Sequence, residues 1–530
     1  MRNTFTRYLK DKNGNFAIIA SAIAIPLVMA AGLMVDLTTI GRSQAELQQA
    51  MDAAVLAVAR EGDNISDKDA QEIVRNFLEN NYDLTFANLQ IVRQGTAVTI
   101  DATADARMAF GGLFGYDDWT VAAASTADIA YATYEIALVL DTTGSMAGGK
   151  LTSMKDAVDG MIESMSAQIG NKDRLKFSLV PFATFVNVGP EFGPKFDSKG
   201  KQIAGTGATW LDLEGLSPIP QPDLVPGVSR FQVQHHMGKD WKGCVETRLR
   251  SSGKDYDIDD TPADPSKPET LYIPTFASDE DDEPGYLNSY IDTSAGALKL
   301  LPPGLAKKLN KYGIPVNKQG KPIAFGLWSK IAIDDSPSGY QGFDKGPDFG
   351  CATQPITALT SDYNDLRNKV KALEARGTTN IMEGVAWGSR VLTPGEPFGQ
   401  GQPKDKTGVE KIMVVLTDGS NVMGVTNTKL GSNYSSFGYL VDGRLGPIPP
   451  SDTATNIAMN ERTLAACTYA KENGIEVYTI RLEEPDVKTG TMLQECASTP
   501  AHYFDAPSRS QLDDVFKEIK ERVVRLRLAS

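Results

Sequence analysis

Hydrophobic positions along this chain follow three successive patterns. Phe16 to Val35 is an uncharged, mostly apolar run of about twenty residues, the length a helix needs to cross a bilayer. Pro26 within it is compatible with a membrane helix. From Asp36 to Arg60 the apolar and small residues recur at helical spacing (Leu47, Ala50, Met51, Ala54, Val55, Val58), which predicts that the helix continues. Ser66-Asp67-Lys68-Asp69 can cap a second helix reaching about Asn80. The pattern then turns towards alternation. Leu89 and Ile91 begin it, Val92 breaks the period, and a turn at Gly95 leads to Val98, Ile100, Ala102 and Ala104. Trp119-Thr120-Val121 opens a third strand ending near Ala130. Residues 36–132 thus read as a small membrane-proximal α+β module with nothing catalytic in it.

From residue 133 the third pattern sets in, and turn-free apolar runs alternate with amphipathic stretches. Strands are predicted at Ile136–Leu140, Leu175–Phe182, Ile412–Asp418 and Ile475–Leu482. Helices are predicted at Leu151–Ile169, Ser361–Arg376, Ile381–Leu392, Thr463–Glu472 and Gln511–Leu526. That alternation predicts an α/β fold, a doubly wound parallel sheet over residues 133–530. It is interrupted by a Pro-, Gly- and acid-rich insertion at about 189–356 and by a loop at about 423–451 bearing Gly, Ser and Tyr. The acidic runs Asp255–Asp260 and Ser278–Glu283 read as solvated loop. An EF-hand at the first lacks its sixth-position glycine, which here is Asp260.

Charge sets the topology. Arg2, Arg7, Lys10 and Lys12 stand against Asp11 in the basic segment 1–15, and Asp36 follows the apolar run. The positive-inside rule then keeps the N-terminus cytoplasmic, with 16–35 as a single transmembrane helix and the rest exported. A cleaved leader fits less well, because the run exceeds the usual apolar core of about 7–15 residues. The net charge of −14 argues against nucleic acid as a partner. Three histidines and no CxxC pair leave little for a zinc site. In an oxidising space the four cysteines predict two disulfides, and locality favours Cys244–Cys351 and Cys467–Cys496 among the three possible connectivities.

Candidate chemistry gathers at the ends of two strands. Asp141 closes the first, with Thr143 and Ser145 at two-residue steps, and Asp418 closes another. In open α/β sheets the carboxyl ends of the strands face the ligand crevice. Gly377-Thr378-Thr379-Asn380, at a helix entry, adds hydroxyls. Hard oxygens of this kind suit Mg²⁺, with Mn²⁺ or Ca²⁺ also possible. Two rivals stand beside that reading. Asp, Thr and Ser after a strand are also ordinary turn and cap residues. Gly144–Lys150 fits the first seven positions of a phosphate-binding loop, with Asp418 as its strand-end carboxylate, but Leu151 stands where Ser or Thr should hold Mg²⁺.

Two resemblances bear on this. Gly14-Asn15-Phe16-Ala17-Ile18-Ile19, the apolar span, Asp36 and Gln48–Ala57 resemble the N-terminus of TadE/TadG-type proteins of bacterial Flp (tight adherence) pilus assembly. Prepilin-like relatives carry Glu five residues after a processing glycine; here that place is Ile19, so processing is not expected. Asp141, Thr143, Ser145, Thr379 and Asp418 resemble the metal-ion-dependent adhesion site (MIDAS) of von Willebrand factor A-type (VWA) domains. Trp241–Arg248, Asp279–Asp292 and Cys351 resemble the insertion of TadG-like proteins, and Cys467 with Cys496-Ala497-Ser498 also matches that subfamily, supporting the second disulfide. The resemblance implies a non-enzymatic, TadG-like protein of the bacterial inner membrane with its large domain exported. It also implies a divalent ion that takes a carboxylate from a protein partner, with pilus and secretion components as the candidates. A phosphate-loop nucleotide hydrolase and a purely structural anchor remain the alternatives.

Overall fold

The computed structural model describes residues 15–61, 66–81, 86–94, 97–128, 133–248, 250, 254–293, 304–319 and 321–525. The basic segment before Asn15, the turn at Gly95 and the end of the third strand at Ala130 lie outside them. The chain divides into two compact units, residues 1–131 and 132–530.

In the first unit, helix α1 (Asn15–Glu61) is one continuous element containing Pro26. At 1.5 Å per residue it runs roughly 70 Å, about twice the hydrocarbon core of a bilayer. Its two halves have different surroundings. Ile18, Ile23, Leu27, Val28 and Met34 are exposed, as on a helix long and apolar enough to cross a membrane. Leu47, Met51, Ala54 and Val58 are buried against Val98, Ile100, Ala104 and Val121. Helix α2 (Asp67–Asn81) starts where the Ser66 hydroxyl accepts the Asp69 amide at 3.1 Å. The antiparallel sheet β1 (Phe86–Gln94), β2 (Ala97–Arg107) and β3 (Asp118–Asp128) completes the unit. Asp36, buried at the end of the apolar run, accepts the backbone amides of Ala109 and Phe110 in the β2–β3 connection.

The second unit begins with β4 (Thr133–Asp141), α3 (Gly149–Ile169) and β5 (Leu175–Phe182). The insertion then contributes β6 (Val186–Asn187), α4 (Arg230–His236), β7 (Cys244–Glu246), β8 (Ile273–Pro274) and α5 (Leu305–Lys311). The main chain of elements resumes with β9 (Thr357–Thr360), α6 (Tyr363–Lys371), α7 (Ile381–Val391) and β10 (Val409–Thr417). It closes with α8 (Asp452–Glu472), β11 (Ile475–Leu482), α9 (Val487–Cys496), β12 (Tyr503–Ala506) and α10 (Leu512–Arg525). The sheet order is β12-β11-β10-β4-β5-β9.

Both faces of this sheet are covered, which is why its central strands are mainly apolar, with the Lys411–Glu135 ion pair buried between β10 and β4. Ile136, Leu138 and Leu140 pack with Val158, Ile162, Val370 and Phe516 on one side. Ala137 and Val139 pack with Val385, Trp387, Ala466 and Leu493 on the other. The sheet is not wholly parallel, however. β9 pairs antiparallel with β5, because the chain re-enters from the insertion at the opposite end of that edge. Two further predictions shift: α6 spans only Tyr363–Lys371, and α8 begins at Asp452 rather than near Thr463.

The acidic runs also depart from expectation. Tyr256, Asp257 and Ile258 are buried, not solvated. Arg248 donates to the carbonyls of Tyr256, Asp259 and Thr261, Arg390 donates to that of Asp257, and Arg462 pairs with the Asp257 carboxylate. Asp279 accepts the Tyr290 and Ile291 amides, each at 2.8 Å. Both disulfides form, Cys244–Cys351 and Cys467–Cys496. The second closes a separation of 29 residues and ties α8 to the end of α9. Replacing both of its cysteines by alanine is expected to cost about 3 kcal/mol through the freed unfolded chain. A denaturant midpoint equal to that of the wild type would refute this.

Candidate functional site

The site forms at the carboxyl edge of the sheet, where β4 has β5 on one side and β10 on the other. Connections leave such a point in opposite directions and open a crevice. Asp141, the last residue of β4, is fully buried. Its Oδ1 accepts the Thr143 amide at 2.8 Å and its Oδ2 accepts the Thr417 hydroxyl at 2.6 Å. The turn that follows sets the Thr143 and Ser145 hydroxyls 2.9 Å apart. Ser145, itself exposed, donates to Asp418 Oδ1 at 2.6 Å, and Lys150 Nζ donates to Asp418 Oδ2 at 2.7 Å.

Thr379 arrives from the loop before α7. Gly377, at φ +94°, passes its carbonyl to the Gly144 amide at 3.0 Å, and the Arg376 amide bonds the Thr142 carbonyl at 2.7 Å. These bonds fasten the two loops together. The adjacent threonines then part: Thr378 turns to the Thr184 hydroxyl at 3.1 Å, while Thr379 faces Gly419. A methyl placed on Gly419 would lie 3.5 Å from Thr379 Oγ1, 3.7 Å from Ser145 Oγ and 3.9 Å from Glu484 Oε2. The absent side chain leaves that space open to three oxygens from three loops.

Asp141, Thr143, Ser145, Thr379 and Asp418 are therefore gathered in one place. Burial, reinforced by the Asp418 carboxylate, pushes the Asp141 carboxyl up to about 6, against the pull of its bonds to Thr143 and Thr417. Two carboxylates and three hydroxyls at an edge exposed through Ser145 form a donor set that suits a hard divalent ion. Among the described residues no group of three or more His, Cys, Asp or Glu side chains could hold a metal, so any ion here would depend on the hydroxyls.

The phosphate-loop alternative finds a different arrangement. Such a loop needs converging free amides. Within Gly144–Lys150 the Gly144 amide goes to Gly377, that of Met146 to Thr143 and that of Ala147 to Gly144. Lys150 is turned to Asp418.

Three contributors escape a sequence reading. Thr417 belongs to an apolar strand and looks like one of its ordinary members. Gln341, from the insertion, accepts the Gly377 amide at 2.6 Å through its side chain, from 36 residues away. Glu484 follows β11, so its place at the end of a predicted strand was the available signal. The loop at 423–451 packs against the insertion. Tyr434, Phe437 and Tyr439 are buried, with Tyr434 and Tyr439 donating to Glu246 and to the Ser278 carbonyl. These aromatic side chains bind the loop to the insertion instead of facing outward.

Residues 14–61 match the family model for Flp pilus-assembly TadE/G-like proteins. No curated protein matches the chain. Among solved structures, the pilus adhesin SpaC of Lactobacillus rhamnosus GG in its open conformation aligns at 13% identity and TM-score 0.32, over 84% of this chain and 34% of SpaC. The vWF domain of the type V pili tip protein Mfa5 of Porphyromonas gingivalis aligns at 10% identity and TM-score 0.32, over 74% of this chain and 95% of that one. The PilB minor pilin of Streptococcus sanguinis aligns at 12% identity and TM-score 0.32, over 84% and 78%. The chain spans about a third of SpaC's length. TM-scores of this size do not establish a common global fold.

Proposed function

We propose that this chain, TadE/G-like over residues 14–61, is a membrane-anchored protein of Flp pilus assembly or surface adhesion that binds its partner through a divalent ion. α1 would anchor it in a bacterial inner membrane with the N-terminus cytoplasmic, and the α/β domain would work outside as a VWA-type binding module. Its task would be binding rather than catalysis. Asp141, Thr143, Ser145, Thr379 and Asp418 would hold the ion, Mg²⁺ first and Mn²⁺ or Ca²⁺ next. An ion so held would offer an exchangeable position to a carboxylate from a protein partner, with pilus and secretion components as the candidates.

The observation that carries this reading is that the Thr379 and Ser145 hydroxyls both border the space beside Gly419, while the adjacent Thr378 is spent on Thr184. A turn or cap alone would not require a hydroxyl from a second loop. The experiment is calorimetric titration of Mg²⁺ and Mn²⁺ into the full-length protein in detergent, alongside Thr379→Val and Thr378→Val. Thr379→Val is expected to weaken binding about tenfold or more, the size seen when a supporting group of a metal site is lost. Thr378→Val should leave it near the wild-type value. Equal affinities in all three proteins would remove Thr379 from the site.

A further inference from the structure

We infer that Lys150 sets the affinity of this site: its ammonium is a resident counter-charge for Asp418 that a divalent ion must displace. The inference rests on the metal-dependent reading above and concerns how that site is regulated.

Lys150 is the second residue of α3, at the positive end of the helix dipole, where a cation is disfavoured. Its position is explained by its partner. With Ser145 on Oδ1 and Lys150 on Oδ2, both oxygens of Asp418 are satisfied without any ion. The Asp418 side chain is fully buried, whereas that of Lys150 is 21% exposed. The carboxylate is held at the end of a core strand and cannot withdraw. The lysine, on a flexible four-carbon stem, has a route to water.

An ion bound by the neighbouring hydroxyls would stand within a few ångströms of this ammonium. Like charges at such a distance in a poorly solvated pocket repel strongly, so the two cations exclude each other. The lysine would thus keep the ion-free domain folded while reducing its affinity for the ion. This gives a role to the residue that made Gly144–Lys150 resemble a phosphate loop.

The test compares wild type, Lys150→Met, Lys150→Arg and Asp141→Ala as full-length proteins in detergent, by Mn²⁺ calorimetry and by melting with and without Mn²⁺. Lys150→Met is expected to bind Mn²⁺ at least about tenfold tighter, as removal of a close like charge requires. It should also melt lower than wild type without the ion and recover when the ion is added. Lys150→Arg should stay near wild type. A second readout needs no variant: saturation of the wild type with Mn²⁺ should raise acylation of the Lys150 amine, measured by peptide mass spectrometry. Unchanged or weaker binding by Lys150→Met, or Lys150 labelling indifferent to the ion, overturns the inference while leaving an ion site in place. If neither wild type nor Lys150→Met takes up Mn²⁺, the ion-site reading fails, and this inference with it.

Discussion

Replacing Asp141 with alanine is expected to lower divalent-ion affinity about a hundredfold or more, since even outer partners of a metal ligand contribute about 10–100-fold. The domain should remain folded. Asp141 is surrounded by the apolar strands β4, β5 and β10, whose packing does not depend on its charge. Its burial is an electrostatic cost, which is why its carboxyl is pushed up to about 6. That shift also sets a pH dependence. A carboxyl whose folded pKa lies above its unfolded value stabilises the fold most below about 4, and that contribution is lost as the pH rises through about 6. Without metal, wild-type stability should therefore decline across this window, and Asp141→Asn should decline less. Ion affinity should run the other way and rise with pH, because the ionised carboxylate is the binding form. Calorimetry at pH 5 and pH 7.5, paired with melting curves, separates the two trends. Undiminished Mn²⁺ binding by Asp141→Ala would remove this residue from the site.

How much of this was legible in the sequence depended on how each element is stabilised. β4, β5, β10 and β11 are buried on both faces along most of their length, so each carries a mainly apolar stretch that a local reading can find. β9 and β12 are four-residue edge strands, too short to show a period. The first half of α8 was hidden for another reason. Asn456 and Asn460 face inward and bond the Asn421 carbonyl and the Asn421 side chain, so polar residues stand where a helical apolar stripe would be sought.

The insertion was unreadable in the same way, because side chains bonding to distant backbone hold it together. Asp257 is acidic and flanked by acids, and only the fold brings Arg390 and Arg462 to it from more than a hundred residues away. The site followed a similar division. The spacing of Asp141, Thr143 and Ser145 is local, so it could be read. Thr417 and Gln341 depend on sheet register and on how the insertion returns, which no local pattern encodes.

Glu246→Ala is expected to be the most damaging substitution in the insertion, at about 3–5 kcal/mol, the usual cost of leaving buried charges without their partner. Glu246 lies in β7, with its side chain almost wholly buried. Arg230 from α4 reaches Oε1 at 2.5 Å and Arg444 from the second loop reaches Oε2 at 2.6 Å, both arginines being nearly buried. The Tyr434 hydroxyl donates to Oε1 as well. One carboxylate thus joins three segments, α4, β7 and the second loop. Alanine would strand two guanidinium groups, although Arg230 keeps the Pro274 carbonyl and Arg444 keeps that of Thr247. Glu246→Gln retains the shape and acceptor but not the charge, so its effect should be intermediate. The face of the main sheet that packs on α3 and α10 has a core without insertion residues, so the damage should begin locally: limited proteolysis ought to cut within residues 189–356 before the sheet unfolds. Loosening there should also reach the proposed ion site, because Gln341 is the insertion's hold on the Gly377 turn that presents Thr379. Glu246→Ala is therefore expected to weaken Mn²⁺ binding without touching any ligand. Wild-type protease resistance in that variant would show that the three segments do not depend on this carboxylate.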